Sequence, residues 1–307
     1  MSQDFPQFTG LDLELLEADK VKLLSTMQPA ASWIQYGANE LTNVPDVLDI
    51  RPFHTLEDQS RQGSCQGQAN TSLAEFSYWL ESDGALEPNG KMIQFSRQFC
   101  YIESQRKDNL VGRDVGSTIS GGFEMAKDGH CLEKYFPYPT RSTEDPKSLY
   151  TSRVPAECYE HRDFKITKGT YTHTTDEMWL HQAGGLGGHL LGMLWPDCMQ
   201  NHGTAPNGEP MIVDFYEGGR GAGRHAAGHA VTIIGWVIID GKRYWRLFNS
   251  WGVGQWSKDG TVLVPDFVMQ KILAHRMTVC VAFSGISGVE KPTPKDWSYI
   301  ANGGYYG

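Results

Sequence analysis

Residues 229–251 constrain the fold of this chain more than any other segment. They read HAVTIIGWVIIDGKRYWRLFNSW, two runs of β-branched and aromatic residues on either side of Asp240 and Gly241. Such runs favour β-strands, and an Asp-Gly pair between them is typical of a two-residue hairpin turn. With MIVDFY before it and GTVLVP after it, this hairpin predicts a strand-rich second half of the chain.

The first half of the chain carries a helical pattern instead. Cys65 opens a segment in which apolar residues recur every three or four positions, at Ala69, Leu73, Phe76 and Leu80. That spacing predicts an amphipathic helix. Residues 94–104 and 117–128 are weaker helix candidates, the second because two adjacent glycines interrupt it. Helices followed by strands predict an α+β fold.

The pattern divides the chain into an extension, a main domain and a tail. The extension has helical spacing over residues 11–27, which predicts a surface helix, a docking arm or a short pro-segment. The tail lacks periodicity. The boundaries are 1–43 for the extension, 44–287 for the domain (44–150 mainly helical, 151–287 mainly β) and 288–307 for the tail.

Charge and hydropathy exclude several classes of function. The 307 residues carry a formal net charge of −9, which argues against a nucleic-acid binder. No run of eighteen apolar residues is present, so we expect no membrane span. The first residues, MSQDFPQFTG, lack the basic and apolar regions of a secretory signal peptide, which predicts a cytoplasmic location.

The cysteines predict neither a zinc site nor a dense disulfide scaffold. All six are widely separated and no two have CxxC spacing. A reducing compartment is the simpler interpretation, although one or two bridges are compatible with the sequence. We expect no metal and no cofactor, because thiolate chemistry requires neither.

Cys65 is the candidate nucleophile. It ends a Gly-Ser turn and begins the predicted helix, where unpaired backbone N–H groups and the helix dipole favour a thiolate. Gln59 lies six residues earlier, and its amide is a candidate oxyanion donor beside the backbone N–H of Cys65. A cysteine taken alone is more often a structural residue, so its partner segments decide the interpretation.

Those partners lie in the predicted hairpin. His229 begins the first strand and is the candidate general base. Asn249 ends the second strand and can fix the imidazole tautomer, while Trp251 can shield that contact from water. Two alternatives exist: His225 could be the base, and Asn249 could be an ordinary turn residue. The strand that follows His229 disfavours the first alternative, and the NSWG motif disfavours the second.

The order of these segments resembles the papain-like cysteine peptidases. The matching motifs are DQ-x₃-GSC, HAV-x₃-G and YW-x₃-NSWG-x-G, with support from EKYFPYP at 133–139 and Asp-x-Arg at 49–51. The likeness covers residues 44–285. It implies a two-lobed fold, with a helical left lobe and a β-barrel-like right lobe on either side of a cleft.

The same resemblance implies the reaction and the substrate. We expect a cysteine endopeptidase that cleaves a peptide or protein substrate through an acyl-enzyme on Cys65. Gly116, or else the Gly121-Gly122 pair, matches the glycine that binds the substrate backbone, and Gly228 is a second substrate-binding candidate. Gln66 departs from the family, which has an aromatic residue after the nucleophile.

A second alignment of the QGSC segment remains open. It makes Gln62 the oxyanion residue and places Gln68 at the nucleophile position, which describes an inactive homologue. The six-residue spacing of Gln59 and Cys65 favours the active alignment.

Other patterns in the sequence could suggest different functions. GGLGGH at 184–189 lacks the lysine of a phosphate loop. The tryptophans of the second half are expected in the core and the cleft wall rather than in a carbohydrate platform.

The unusual ends of the chain suggest an alternative function, a structural or virion-associated component that docks on a protein assembly through its terminal arms.

Overall fold

A computed structural model describes residues 13–29, 44–139, 153–216, 227–254 and 256–286. The helices lie mainly in the first half of the chain, as predicted. They are α1 (Leu13–Thr26), α2 (Cys65–Glu81), α3 (Arg97–Lys107), α4 (Ile119–Asp128), α5 (Ala156–Glu160), α6 (Thr175–Ala183) and α7 (Asp266–Ala274), with short 3₁₀ turns at Glu133–Tyr135 and Asp197–Gln200.

The strands form one sheet. They are β1 (Gln28–Pro29), β2 (Val47–Leu48), β3 (Ile166–Tyr171), β4 (His189–Trp195), β5 (His202–Thr204), β6 (Pro210–Ile212), β7 (Ala227–Ile239), β8 (Lys242–Phe248), β9 (Thr261–Pro265) and β10 (Val279–Ile286). Their order across the sheet is β1-β3-β10-β4-β7-β8-β9-β6-β5, with β2 paired to β7. The predicted α+β arrangement is confirmed.

The predicted hairpin is present and organises the sheet. Strands β7 and β8 pair antiparallel, and Ile239 faces Lys242 across a two-residue turn. Asp240 and Gly241 both have positive φ, 50° and 69°. Two residues in this conformation make the turn whose twist matches antiparallel strands, which explains the Asp-Gly pair.

Helix α2 lies across the sheet and is fixed to it by side chains. The Thr232 hydroxyl on β7 donates to the carbonyl of Ala69 at 3.2 Å, and the Ser77 hydroxyl donates to the carbonyl of Phe283 on β10 at 3.0 Å. At the far end, the Glu81 carboxylate accepts from the backbone N–H groups of Gly285 and Ile286. The bond from Thr232 places the second turn of α2 beside the strand that carries His229.

The pair Gly121-Gly122 does not prevent α4 from forming. A Cβ atom on Gly122 would overlap the side-chain amide of Gln66 on α2, and one on Gly121 would overlap the Asp108 carboxylate. Glycine is therefore required for the close approach of α4, and tertiary packing offsets its low helix propensity.

The predicted helix in the extension is confirmed as α1, and it packs on the body rather than lying apart from it. Leu16, Leu23 and Met27 are buried, and β1 extends the sheet by pairing in parallel with β3. Residues 1–12 and 30–43, and the tail from 287 onward, lie outside the described residues. Among the helices described, none combines the length and apolar character needed to cross a bilayer.

Candidate active site

Cys65 is the first residue of α2. Ser64 precedes it in the capping position, and its side chain makes no capping hydrogen bond to the helix. The first N–H groups of a helix have no partner within the helix and carry partial positive charge. The thiol is therefore placed where a thiolate, or an oxyanion formed beside it, gains electrostatic stabilisation. Its side chain is fully buried in this conformation.

His229 lies on β7 and contacts Asn249, which directly follows β8. The imidazole Nε2 is 2.8 Å from Asn249 Oδ1, and the same oxygen accepts from the backbone N–H of Ser250 at 2.8 Å. Because this oxygen only accepts, Nε2 carries the hydrogen in the neutral imidazole. The second ring nitrogen, Nδ1, is buried and makes no hydrogen bond to any residue in the described part of the chain.

Burial sets the charge of this imidazole. Loss of hydration lowers the pKa of His229 to about 4, and the bond to Asn249 opposes that effect in part. His229 is therefore neutral near pH 7 in this closed state. A neutral ring with Nε2–H held by Asn249 presents Nδ1 as a proton acceptor.

Indole rings surround the imidazole. Trp251 stacks on His229 with centroids 4.8 Å apart and planes at 29°, and Trp195 meets the ring edge-on at 5.0 Å. Trp256 packs against both indoles. These tryptophans are buried, as expected for core and cleft wall. They exclude water from the His229–Asn249 bond, which strengthens it.

Gln59 is held by the same loop that carries Asn249. Its side-chain oxygen accepts from the Ser250 hydroxyl at 2.7 Å, and its backbone N–H donates to the Ser250 carbonyl at 2.7 Å. Its amide nitrogen donates to the carbonyl of Gln62 at 3.0 Å. Since the oxygen is fixed by Ser250, the donor end of the amide faces the turn that leads to Cys65.

Tyr138 is a residue of this site that sequence reasoning missed. Its hydroxyl lies 2.6 Å from Ser64 Oγ and donates to the carbonyl of Gln59 at 3.0 Å. The tyrosine thus ties the residue before the nucleophile to the candidate oxyanion residue. Its place in the family-like EKYFPYP segment was the signal available, but that motif indicated a connection between lobes rather than a site contact.

The substrate-binding glycines are placed differently. Gly116 is buried with φ 80°; its N–H donates to the Tyr101 hydroxyl and its carbonyl accepts from Gln105. Gly121 and Gly122 lie inside α4. Gly228 is buried on β7, next to His229, and is paired with Leu194 of β4. Their roles in substrate binding stay predictions, and the rival base His225 lies outside the described residues.

Comparison with known proteins identifies the family. The family model for papain family cysteine proteases matches residues 209–278, which include His229 and Asn249. Cathepsin B-like cysteine proteinase 4 of Caenorhabditis elegans is 34% identical over 265 residues, covering 78% of this chain and 76% of that protein. The chain belongs to the papain family of cysteine proteases. Members of this family hydrolyse peptide bonds.

Other matches to this papain-family chain are shorter or more distant. Cathepsin B-like cysteine proteinase 6 of Caenorhabditis elegans is 39% identical over 67 residues, but the match spans only 20% of this chain and 17% of that protein. The solved structure of xylellain, a cysteine protease from Xylella fastidiosa, superposes with a TM-score of 0.60 at 22% identity, covering 80% of this chain and 87% of that one. At this identity the superposition supports the papain-like fold.

Proposed function

We propose that this papain-family protein is a cysteine endopeptidase, with Cys65 as nucleophile, His229 as base and Asn249 as the residue that orients the base. The observation that carries the proposal is the bond from His229 Nε2 to Asn249 Oδ1, which leaves Nδ1 as the proton acceptor. The strand that holds this imidazole is hydrogen-bonded to the first turns of the helix that begins at Cys65.

The start of α2 supports the active alignment over the inactive one. The helix begins at Cys65, so its thiol has the N-terminal position that activates a nucleophile. Gln68 lies within the first turn, and its amide points back to Ser64 Oγ. Gln59, six residues before Cys65, is bonded to Ser250, directly after Asn249.

The reaction follows from these positions. His229 Nδ1 takes the thiol proton, and the Cys65 sulfur attacks the scissile carbonyl to form a C–S bond. Gln59 and the Cys65 N–H stabilise the oxyanion. The imidazolium then returns its proton to the leaving amine as the C–N bond breaks. Water, deprotonated by His229, hydrolyses the thioester and frees the thiol.

Substitution of Cys65 tests the proposal. We expect Cys65→Ala to abolish hydrolysis of a peptide library and labelling by an epoxide thiol inhibitor, as read by mass spectrometry. Cys198→Ala is the matched control, because Cys198 is the only one of the six cysteines that is not fully buried; it should retain both reactions. A wild-type protein that neither cleaves peptides nor reacts with the inhibitor would refute the assignment.

We propose in addition that α1 acts as a pro-segment over this site. It packs against α4, β4 and β7, the last being the strand of His229. Its Leu16 and Leu23 share one apolar cluster with Cys65 and Ala230. Cys65 and His229 are both 0% exposed, so a substrate reaches them only after some covering element moves.

One side chain fixes α1 in place. The buried Asp19 carboxylate accepts from the backbone N–H groups of Ile119 and Ser120, at the N-terminus of α4. A carboxylate at this end of a helix gains from both the hydrogen bonds and the helix dipole. This contact supports the extension as a regulatory segment. Docking of the terminal arms on a larger assembly, in a virion or in the cytoplasm, stays a prediction.

A further inference from the structure

A buried cluster of charged side chains lies beside the loop that carries Gln59. Glu57, Glu75 and Arg97 are each less than 10% exposed. Arg97 Nε lies 3.0 Å from Glu57 Oε1, and its Nη2 lies 3.2 Å from Glu75 Oε2. Ser72 Oγ donates to Glu57 at 2.5 Å and is 3.1 Å from His54 Nε2.

The cluster joins two parts of the proposed catalytic apparatus to helix α3. Glu57 lies two residues before Gln59, Glu75 lies on α2 ten residues after Cys65, and Arg97 begins α3. The backbone of Glu57 also belongs to the site, because its carbonyl accepts from the N–H of Gly252 at 3.0 Å. Glu57 therefore belongs to the segment that carries Gln59 and is hydrogen-bonded to the loop that carries Asn249.

The charges of the cluster do not balance when both carboxyl groups are ionised. Two carboxylates then face one guanidinium. His54 supplies no second positive charge, because burial lowers its pKa to about 3. Two other charged residues bond to members of the cluster: the Glu133 carboxylate accepts from the backbone N–H of Arg97, and the Lys91 ammonium donates to the His54 carbonyl. Burial raises the pKa of the Cys100 thiol on α3, which keeps it neutral. Glu133 adds to the negative side.

A metal ion does not resolve this imbalance. His54, Glu57 and Glu75 hold ligand atoms within 4.8 Å of one another, a spacing that a cation could bridge. Arg97, however, already contacts both carboxylates, and its fixed positive charge repels a cation. A single proton on either of the two carboxyl groups instead leaves one carboxylate facing one guanidinium, which balances the charge.

We propose that Glu57, Glu75 and Arg97 form a positioning unit that holds Gln59 against the Asn249 loop only while one of the two carboxyl groups is protonated. The inference rests on the proposed function, because it concerns the oxyanion residue of that site. Burial acts in the same direction: it raises the pKa of Glu57 to about 7 and that of Glu75 to about 8, although Arg97 opposes the effect. Above this range a second buried negative charge pushes the loop away.

The test compares kcat and KM for a fluorogenic peptide between pH 6 and pH 9. In the wild type we expect kcat to fall about tenfold across this range, since each pH unit above the pKa of a group lowers its protonated fraction about tenfold. In Glu57→Gln a second buried carboxylate cannot form at any pH in this range, so the ratio of kcat at pH 9 to kcat at pH 6 should stay near one. KM should change little in either protein.

Glu103→Gln is the matched control. Glu103 lies on α3 like Arg97 and is buried, but it bonds to Tyr159 and Arg106 and has no link to the Gln59 loop. It should show the wild-type fall. Equal pH ratios in Glu57→Gln and Glu103→Gln would overturn the proposal.

A second test measures alkylation of Cys65 in the wild-type protein, so it does not depend on whether a variant folds. Alkylation of Cys65 by iodoacetamide does not use the oxyanion donor, so it should not fall with kcat above pH 8. Parallel loss of alkylation and kcat would refute a role through Gln59. A wild type without hydrolysis at any pH would instead refute the proposed function itself.

Discussion

Asn249 holds the His229 imidazole through a single oxygen atom. That oxygen accepts from its own neighbour, Ser250, and from His229. The first bond fixes the orientation of the amide, and the oriented amide then determines which ring nitrogen carries the hydrogen. The tautomer of the proposed base is therefore determined by a hydrogen bond within the protein, not by a contact with substrate.

Removal of this oxygen should damage catalysis more than folding. We expect Asn249→Ala to lower kcat by about 10- to 100-fold, in keeping with loss of a buried hydrogen bond of about 1–3 kcal/mol, while KM changes less. ¹⁵N NMR of the imidazole should show a mixture of tautomers in the variant and the Nε2–H form in the wild type. Asn207→Ala, in an exposed turn, is the control. An unchanged kcat in Asn249→Ala would contradict this role.

The sequence indicated candidate residues for the proposed site, but it did not indicate their contacts. Cys65, His229 and Asn249 lie in local motifs whose residue types reveal their chemistry. The partners of Gln59 were not predicted, since Ser250 lies 191 positions away and serine has no chemical signature of its own. Arg97 was missed for the same reason: a charged residue at a helix start is ordinarily solvated, and only the fold shows that it is buried between two carboxylates.

Helix α1 shows the limit of pattern reasoning at the scale of an element. Apolar spacing predicted the helix over residues 11–27, and the structure confirms it at Leu13–Thr26. The pattern did not show where the helix packs, because α4, β4 and β7 lie far away in sequence. Two adjacent glycines had likewise weakened the prediction of α4, although close packing on Asp108 requires Gly121 and close packing on Gln66 requires Gly122.

The docking of α1 should control the rate of peptide cleavage. Asp19→Ala removes the carboxylate that accepts from Ile119 and Ser120, and we expect kcat/KM to rise by about tenfold, as a bond to a charged group is worth about 1.5–3 kcal/mol. The measurement is progress curves on a fluorogenic peptide at low concentration. Lys22→Ala, on the exposed face of α1, should leave the rate unchanged. A slower or equal rate in Asp19→Ala would count against a covering role.

At the scale of the whole molecule, buried ionisable groups set how stability depends on pH. Burial lowers the pKa of five histidines well below 6.5: to about 3 for His54 and His130, to about 4 for His181 and His229, and in the same direction for His189. At these positions the imidazoles are protonated in the unfolded chain at a pH where they remain neutral in the folded chain. The free energy of unfolding therefore falls as the pH drops from about 6.5 towards 4. Each histidine lowers it by at most about 1.4 kcal/mol per pH unit.

The two buried glutamates act in the opposite direction. Their pKa values are raised in the folded state, so their contribution is complete below about pH 4.5 and is lost as the pH rises through 7 and 8. The histidines thus limit stability on the acid side and the glutamates limit it on the alkaline side.

His130 allows the effect of a single buried histidine on the pH dependence of stability to be measured. It stacks on Phe95 and is fully buried, and its ring nitrogens make no hydrogen bond within the described ranges. We expect His130→Leu to reduce the acid slope of the unfolding free energy between pH 6 and pH 4.5 by about one proton, as measured by urea titrations at a series of pH values. His173→Gln, at an exposed position, should keep the wild-type slope. The prediction is wrong if both variants lose stability with acid at the wild-type slope.

The placement of α1 also orders events during biosynthesis. Residues 13–29 leave the ribosome before the elements on which they pack, since Ile119 is made about one hundred residues later and strand β7 about two hundred residues later. Leu16, Leu23 and Met27 therefore gain their buried surroundings in stages, and α1 completes its packing only once β7 has been made. Under the proposed pro-segment role, the strand that carries His229 and the helix that covers it come together at the same stage of synthesis.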